Sequence, residues 1–364
     1  MELAIVGLAR SGKTTVFNAL TRGHAPTGTY TGEAEMHVGA VKVPDERLDR
    51  LATLFSAKKI VHSDIQFVDI PGALTWRGAG RGEGPGPQAQ AALDRVDALV
   101  HVVRAFQNDT VPHPDGSVDP ARDIETLNLE LVFADLAVVE RRLERLDTVV
   151  RSARAGERET GEKELALLRR VKEGFEQEKP LHAQGLTAEE MRSLANYNLL
   201  SAKPLLALLN IGEEDVSRSG EIEAECRGLT HGAVAAVCGK LEMELNDLSD
   251  EEAVEFRADL GLAEPAAERI AHVCFDFLGV ITFFTGNEEE SRAWPVLKDM
   301  PVVKAAGKVH SDMERGFIRA EVIRWDELLK LGSLAEARKH GVLRGEGKTY
   351  PVQDGDVVHI LFNV

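Results

Sequence analysis

The feature that most limits how this chain can fold is Gly7-x-x-x-x-Gly12-Lys13-Thr14, set between two apolar runs. Leu3-Ala4-Ile5-Val6 reads as a buried strand, and Thr14-Thr15-Val16-Phe17-Asn18-Ala19-Leu20 reads as the helix after it. The glycines let the backbone of Leu8, Ala9, Arg10 and Ser11 curl its N–H groups around a phosphate. Lys13 would then reach the β- and γ-oxygens, and the Thr14 hydroxyl would ligate Mg²⁺. A strand, phosphate loop and helix in this order predict an α/β fold built on a P-loop sheet.

Such a site needs a second metal-side element on a neighbouring strand. Ile65-Gln66-Phe67-Val68 supplies the strand and Asp69-Ile70-Pro71-Gly72 ends it as D-x-x-G. Asp69 would hold Mg²⁺ through water, and the Gly72 amide would sense the γ-phosphate. This order marks a GTPase-type fold rather than a small-molecule kinase.

The base is read from a later strand, Leu205–Leu209, and the Asn210-Ile211-Gly212-Glu213 that follows. Guanine readers carry N-K-x-D here. Their Asp accepts N1–H and the 2-amino group, which only guanine offers, and a pocket without those buried bonds does not insist on guanine. Asn210 can serve N7 of either purine, while Ile211 and Glu213 replace the guanine reader. ATP is the expected nucleotide, with GTP tolerated. Read from this stretch alone, an unrelated loop is the alternative.

The 364 residues carry a net charge of −17, which excludes a protein that coats nucleic acid through its overall field but not a local basic patch. Cys226, Cys238 and Cys274 fall at no metal-ligand or redox spacing, so reduced thiols and a cytoplasmic address are expected. No apolar run approaches the ~20 residues of a membrane span. Leu3–Val6 is too short for a signal-peptide core.

The order of P-loop, D-x-x-G and N-x-x-E resembles the YchF/Obg-like ATPase family, a branch of the Obg-type GTPases. Similar stretches extend along nearly the whole chain: Gly78-Ala79, Gly82–Gly86, His101–Asp109, His310–Ile318 and Val352–Asp356. Cys238-Gly239-Lys240-Leu241-Glu242 is similar to the family's final base-side loop, departing from it at Gly239. The resemblance implies an ATPase with a helical insertion and a C-terminal TGS domain, associated with ribosomes and stress responses. It also implies a catalytic role for His113, which matches a histidine that relatives carry after N-D.

Three departures bear on turnover. Arg10 stands where the family has an Asn that helps hold K⁺. Either its guanidinium replaces that ion at the triphosphate, acting catalytically, or it is an outward-pointing surface Arg; the sequence leaves both open, and with them the need for K⁺. Glu33 occupies the place of the Mg²⁺-linked Thr, with Thr29 and Thr31 nearby. Ala73 and Leu74 fill the region where many GTPases keep a water-orienting Gln. The Gly72–Pro87 stretch, rich in glycine, reads as a switch loop. A nucleotide-binding module with little turnover is therefore a second reading, and an Obg-type GTPase a third.

Pro120 to about Phe175 reads as two antiparallel helices, with Val139, Leu143, Leu146 and Val150 facing Leu165, Leu168 and Phe175 across a polar turn, Ser152–Gly161. Arg141, Arg142, Arg145, Arg151, Arg154 and Arg158 crowd its tip, either as a solvated face or as an RNA or ribosome contact. From about Gly279 the texture turns to strands, Ile281–Thr285, Ala320–Trp325 and Val357–Val364, with one helix from Trp325 to about Leu331. Gln353-Asp354-Gly355-Asp356 reads as a hairpin turn. The expected organisation is a nucleotide-binding domain of residues 1–119 and 203–278, a helical insertion of 120–202, and a TGS-like β-grasp domain of 279–364.

Overall fold

The computed structural model describes residues 1–26, 36–72, 74, 85–152 and 154–363. Twelve strands are found among them: β1 (Glu2–Val6), β2 (His37–Val43), β3 (Lys59–Val61), β4 (Ser63–Asp69), β5 (Ala98–Ala105), β6 (Leu205–Ile211), β7 (Ala233–Val237), β8 (Val280–Gly286), β9 (Glu290–Leu297), β10 (Phe317–Arg324), β11 (Arg344–Glu346) and β12 (Asp356–Phe362). The chain divides into two compact units. One holds Glu2–Gly39 and Gln66–Ala266; the other holds Met1, Ala40–Ile65 and Ala267–Val364.

The phosphate-loop sheet has its strands in the order β2-β4-β1-β5-β6-β7, of which β1, β5, β6 and β7 lie wholly in the first unit. β1 lies between β4 and β5 and is parallel to both, and β6 and β7 continue in parallel. Such a sheet is covered on both faces, so its strands are apolar without alternation. Leu3, Ala4, Ile5 and Val6 are accordingly all fully buried. Chain order reverses at β1, which opens a crevice beyond the carboxyl ends of β1, β4 and β5. The phosphate loop and Asp69 lie at those ends, and Asn210 lies near the carboxyl end of the neighbouring β6.

Between β5 and β6 the chain leaves the sheet as two long helices, Pro120–Ser152 and Ala155–Glu176. Val139, Leu146, Val150, Leu165, Leu168 and Phe175 form their common apolar seam, with Leu143 partly buried beside it. A Cβ on Gly161 would fall 2.5 Å from Val150 Cγ2, so glycine lets the helices approach near the tip. The polar turn is shorter than the sequence suggests: Arg154 caps the second helix, and residues 155–161 are helical. Packing against the first helix overrides the weak propensity of Gly156 and Gly161.

The return segment is pinned by Asp135, which is buried and accepts the backbone N–H of Leu200 at 2.6 Å and of Ser201 at 2.8 Å. Asp135→Ala leaves both amides buried without partners, at about 1–3 kcal/mol each. The expected loss is about 2–4 kcal/mol, read as a lowered urea midpoint. A loss below roughly 0.5 kcal/mol, the level of an ordinary surface change, would contradict this account.

The second unit contains a sheet of order β11-β10-β12-β8-β9-β3. β8 and β9 are antiparallel, β10 pairs antiparallel with β11 and β12, and β12 lies parallel to β8. The short β3 adds a parallel edge to β9. Two expectations are corrected. The region holds four helices, Val302–Val309, Ser311–Arg315, Trp325–Leu331 and Leu334–Lys339, rather than one. Gln353–Asp356 does turn, with Gly355 at φ 83°, but β11 and β12 flank β10 from opposite sides, so no hairpin joins them.

Candidate nucleotide site

The loop after β1 is shaped by its glycines. Gly7 has φ 154° and Gly12 has φ 88°; a Cβ on Gly7 would meet the Val102 carbonyl oxygen, and one on Gly12 would strike the Asn210 amide. Arg10 also takes a left-handed φ of 61°, the less comfortable choice for a residue with a Cβ. Its side chain is exposed, and Nη1 donates to the Pro112 carbonyl at 3.1 Å.

Lys13 curls back over the loop, donating to the carbonyls of Gly7 at 3.2 Å and Leu8 at 3.0 Å. Burial pulls its ammonium down to about 8, against the raising influence of Asp69. Beneath it, His101 is fully buried and held neutral, its pKa lowered to about 3 by burial and then by Lys13. The Thr14 hydroxyl donates to Asp69 Oδ2 at 2.8 Å. Asp69 is 3% exposed, its Oδ1 has no partner, and burial raises its carboxyl above the ordinary range. A buried carboxylate oxygen left bare beside a threonine hydroxyl suits a hard cation such as Mg²⁺. The Ser11 hydroxyl is also buried without a partner. Gly72 stands at φ 79° after Asp69, and Thr15 lies in the first turn of the Lys13–Thr21 helix.

On the base side, Asn210 acts as a brace. Its Nδ2 donates to the Ser11 carbonyl at 3.0 Å and its Oδ1 accepts the Gly239 N–H at 3.2 Å. The phosphate loop and the Cys238–Gly239 loop are thus tied through one buried amide. Ile211 is the last residue of β6 and is buried in an apolar cluster with Cys226 and Cys238. Glu213 lies beyond it and takes Lys240 as an ion partner at 2.7 Å.

Sequence reading missed two residues here. Phe106 lies beside Gly12, its Cε1 3.9 Å from where a Gly12 Cβ would stand. Arg104 is 1% exposed, lies 4.5 Å over the Phe106 ring, and donates to the carbonyls of Phe106 and Val111. A lone charge near the end of the apolar run His-Val-Val-Arg-Ala was the available signal.

His113 is not a free loop histidine. Its side chain is 3% exposed; Nε2 meets Asp123 Oδ2 at 2.9 Å, and Nδ1 accepts the Asp115 N–H at 3.1 Å. Leu74 is buried in the apolar core. Thr29, Thr31, Glu33, Ala73, Gly78, Ala79 and Gly82–Gly84 lie outside the described residues. Of the arm arginines, Arg142 pairs with Glu164 and Arg158 with Glu162, while Arg141 Nε bonds its own helix at Ala137. Arg145, Arg151 and Arg154 are exposed.

No helix among the described residues is long and apolar enough to cross a membrane. The family profile 50S ribosome-binding GTPase matches residues 2–135, and the profile YchF-GTPase_C, described as a protein of unknown function, matches residues 280–363. The chain is 40% identical over 370 residues to the ribosome-binding ATPase YchF of Bacillus subtilis, covering 100% of both chains. It is 38% identical to the protein of that name from Haemophilus influenzae, covering 100% of this chain and 99% of the other. Among solved structures, the YchF GTPase of Schizosaccharomyces pombe matches with a TM-score of 0.82 at 28% identity, over 99% of this chain and 97% of that one. A GTP-binding protein from Pyrococcus horikoshii shares the fold, with a TM-score of 0.57 at 17% identity and full coverage of both chains.

Proposed function

This chain belongs to the YchF family, and from that premise we propose that it is an ATP-hydrolysing switch that acts at the ribosome in the cytoplasm. The observation that carries the reading is the set Lys13, Thr14 and Asp69 at the mouth of β1 and β4, in a chain alike end to end to ribosome-binding ATPases.

The names of the relatives divide between ATPase and GTPase, and the base side favours ATP. The Glu213 carboxylate is engaged by Lys240, Ile211 is folded into the core, and both ends of the Asn210 amide serve protein groups. Glu213, which stands where guanine readers keep their Asp, is thus engaged rather than ready for N1–H and the 2-amino group, so adenine loses nothing relative to guanine. Phe106 offers an aromatic wall beside the loop. Competition of ATP and GTP for the purified protein tests this; ATP is expected to win by at least about tenfold, roughly 1.4 kcal/mol. Tight GDP binding with indifference to ADP would overturn it.

Thr14 and Asp69 would hold Mg²⁺, which when bound neutralises charge on the phosphate oxygens. Lys13 would bind the β- and γ-oxygens, the loop amides from Leu8 to Thr15 would cradle the phosphates, and the Gly72 amide would report the γ-phosphate. Arg10 and His113 are the groups proposed to serve the γ-phosphate and its attacking water. Residues 1–119 and 203–278 would form the nucleotide domain, and 279–364 a TGS-like module. The arm of 120–202 would offer Arg145, Arg151 and Arg154 to ribosomal RNA, since these are exposed and have phosphate-seeking heads.

A further inference from the structure

Asp123 stands in the first turn of the 33-residue arm helix, outside every motif that reads the nucleotide. It is 2% exposed, and both its oxygens are used. Oδ2 faces His113 Nε2 at 2.9 Å, and Oδ1 accepts Arg122 Nε at 3.1 Å and Nη2 at 2.8 Å. The Asp115 N–H donates to His113 Nδ1, so the ring proton sits on Nε2 and is donated to Asp123. Both ring nitrogens are occupied, and the side chain is almost wholly out of solvent. In this arrangement neither nitrogen can orient a water.

The loop bearing His113 is also tied to the phosphate side. Arg10 donates to the Pro112 carbonyl, the residue next to His113, and Arg104 grips the carbonyls of Phe106 and Val111. The same short loop is thus held by the phosphate loop at one point and by the root of the arm at another. A triphosphate draws the exposed Arg10 guanidinium electrostatically, which competes with its bond to a neutral carbonyl.

We infer that Asp123 is a positioning residue that clasps His113 in a resting position, so that movement at the arm root governs delivery of the histidine to the nucleotide. The inference rests on the ATPase reading above. It makes the arm a control element for turnover as well as a contact surface. The carboxylate takes the Nε2 proton and leaves the other nitrogen capped by a backbone amide, so the clasp restrains the histidine rather than activating it.

The test uses the full-length protein with Asp123→Asn, Asp123→Ala and His113→Ala, and the double variant His113→Ala/Asp123→Asn. Asn has the shape of Asp but lacks its charge, so it weakens the clasp while sparing the fold. Steady-state phosphate release from ATP is expected to rise about threefold or more in Asp123→Asn, and the double variant to fall back to the His113→Ala rate. Independently, ¹⁵N-histidine NMR of the parent should show His113 protonated on Nε2, with its resonances moving in Asp123→Asn. An unchanged or lower rate in folded Asp123→Asn and Asp123→Ala would overturn the inference, as would His113 resonances indifferent to the substitution. If the parent releases no phosphate, the ATPase reading fails on that result alone, and the NMR outcome decides whether the clasp exists.

Discussion

Lys13→Ala is expected to lower kcat for ATP hydrolysis by about 10²–10³, the loss usual when one preorganised charge is removed from a developing anion. Its ammonium hydrogen-bonds the Gly7 and Leu8 carbonyls of its own loop, so the fold should survive with little change in melting temperature. Lys13→Arg should not rescue it, because a planar fork does not replace a compact ammonium inside a glycine loop. The same residue sets a pH dependence. In the free protein Lys13 titrates near 8, whereas a bound triphosphate holds its proton more firmly. Below pH 8 both states carry the proton and affinity is flat. Above it the free protein has lost a proton that the complex must regain, so affinity falls as pH rises, approaching tenfold per unit. Calorimetry in buffers of different ionisation enthalpy should register proton uptake at pH 9 and little at pH 7. A rate within threefold of the parent for Lys13→Ala would remove the basis of the site.

The second large effect is expected from Asn210→Ala. This substitution leaves the Ser11 carbonyl and the Gly239 N–H without their partner inside a buried brace. At about 1–3 kcal/mol for each orphaned group, the protein should lose about 2–5 kcal/mol of stability. Nucleotide affinity should fall at least tenfold as well, because the phosphate loop and the final base-side loop lose their common anchor. Urea unfolding with and without ADP separates the two losses. Asn210→Asp is expected to keep the bond from Gly239 and lose the one to Ser11, placing a carboxylate against a carbonyl. Stability equal to the parent in both variants would show that the brace carries no load. Lys13→Ala and Asn210→Ala thus differ in kind: one removes chemistry from an intact frame, the other loosens the frame.

The nucleotide frame was legible because its elements are long, apolar and punctuated by glycine. β1 and β6 begin within a residue of the expected strands, and the helix after the phosphate loop falls where its apolar spacing placed it. β2 and β3 were not legible. The sequence His-Val-Gly-Ala-Val-Lys-Val breaks its alternation with small residues, and β3 has only three residues whose pairing is decided by β9. Val302–Val309 was missed because its valines favour strand locally, while its buried Val302, Ala305 and Ala306 follow helical spacing. At the site, residue types announced Lys13, Thr14 and Asp69, whose spacing is a covalent fact. The partnership of His113 with Asp123 is set by where the arm helix begins, so a linear reading marks His113 by resemblance alone and passes over Asp123 ten positions on.

The length of the first arm helix gives that partnership leverage. At 1.5 Å per residue its 33 residues extend about 50 Å, so a tilt of roughly 5° at the root carries the far end through about 4 Å. The converse also holds: a large displacement imposed on the outer end reaches the histidine as a shift of only a fraction of an ångström. A hydrogen bond of 2.9 Å is among the few contacts steep enough to respond to so small a stroke.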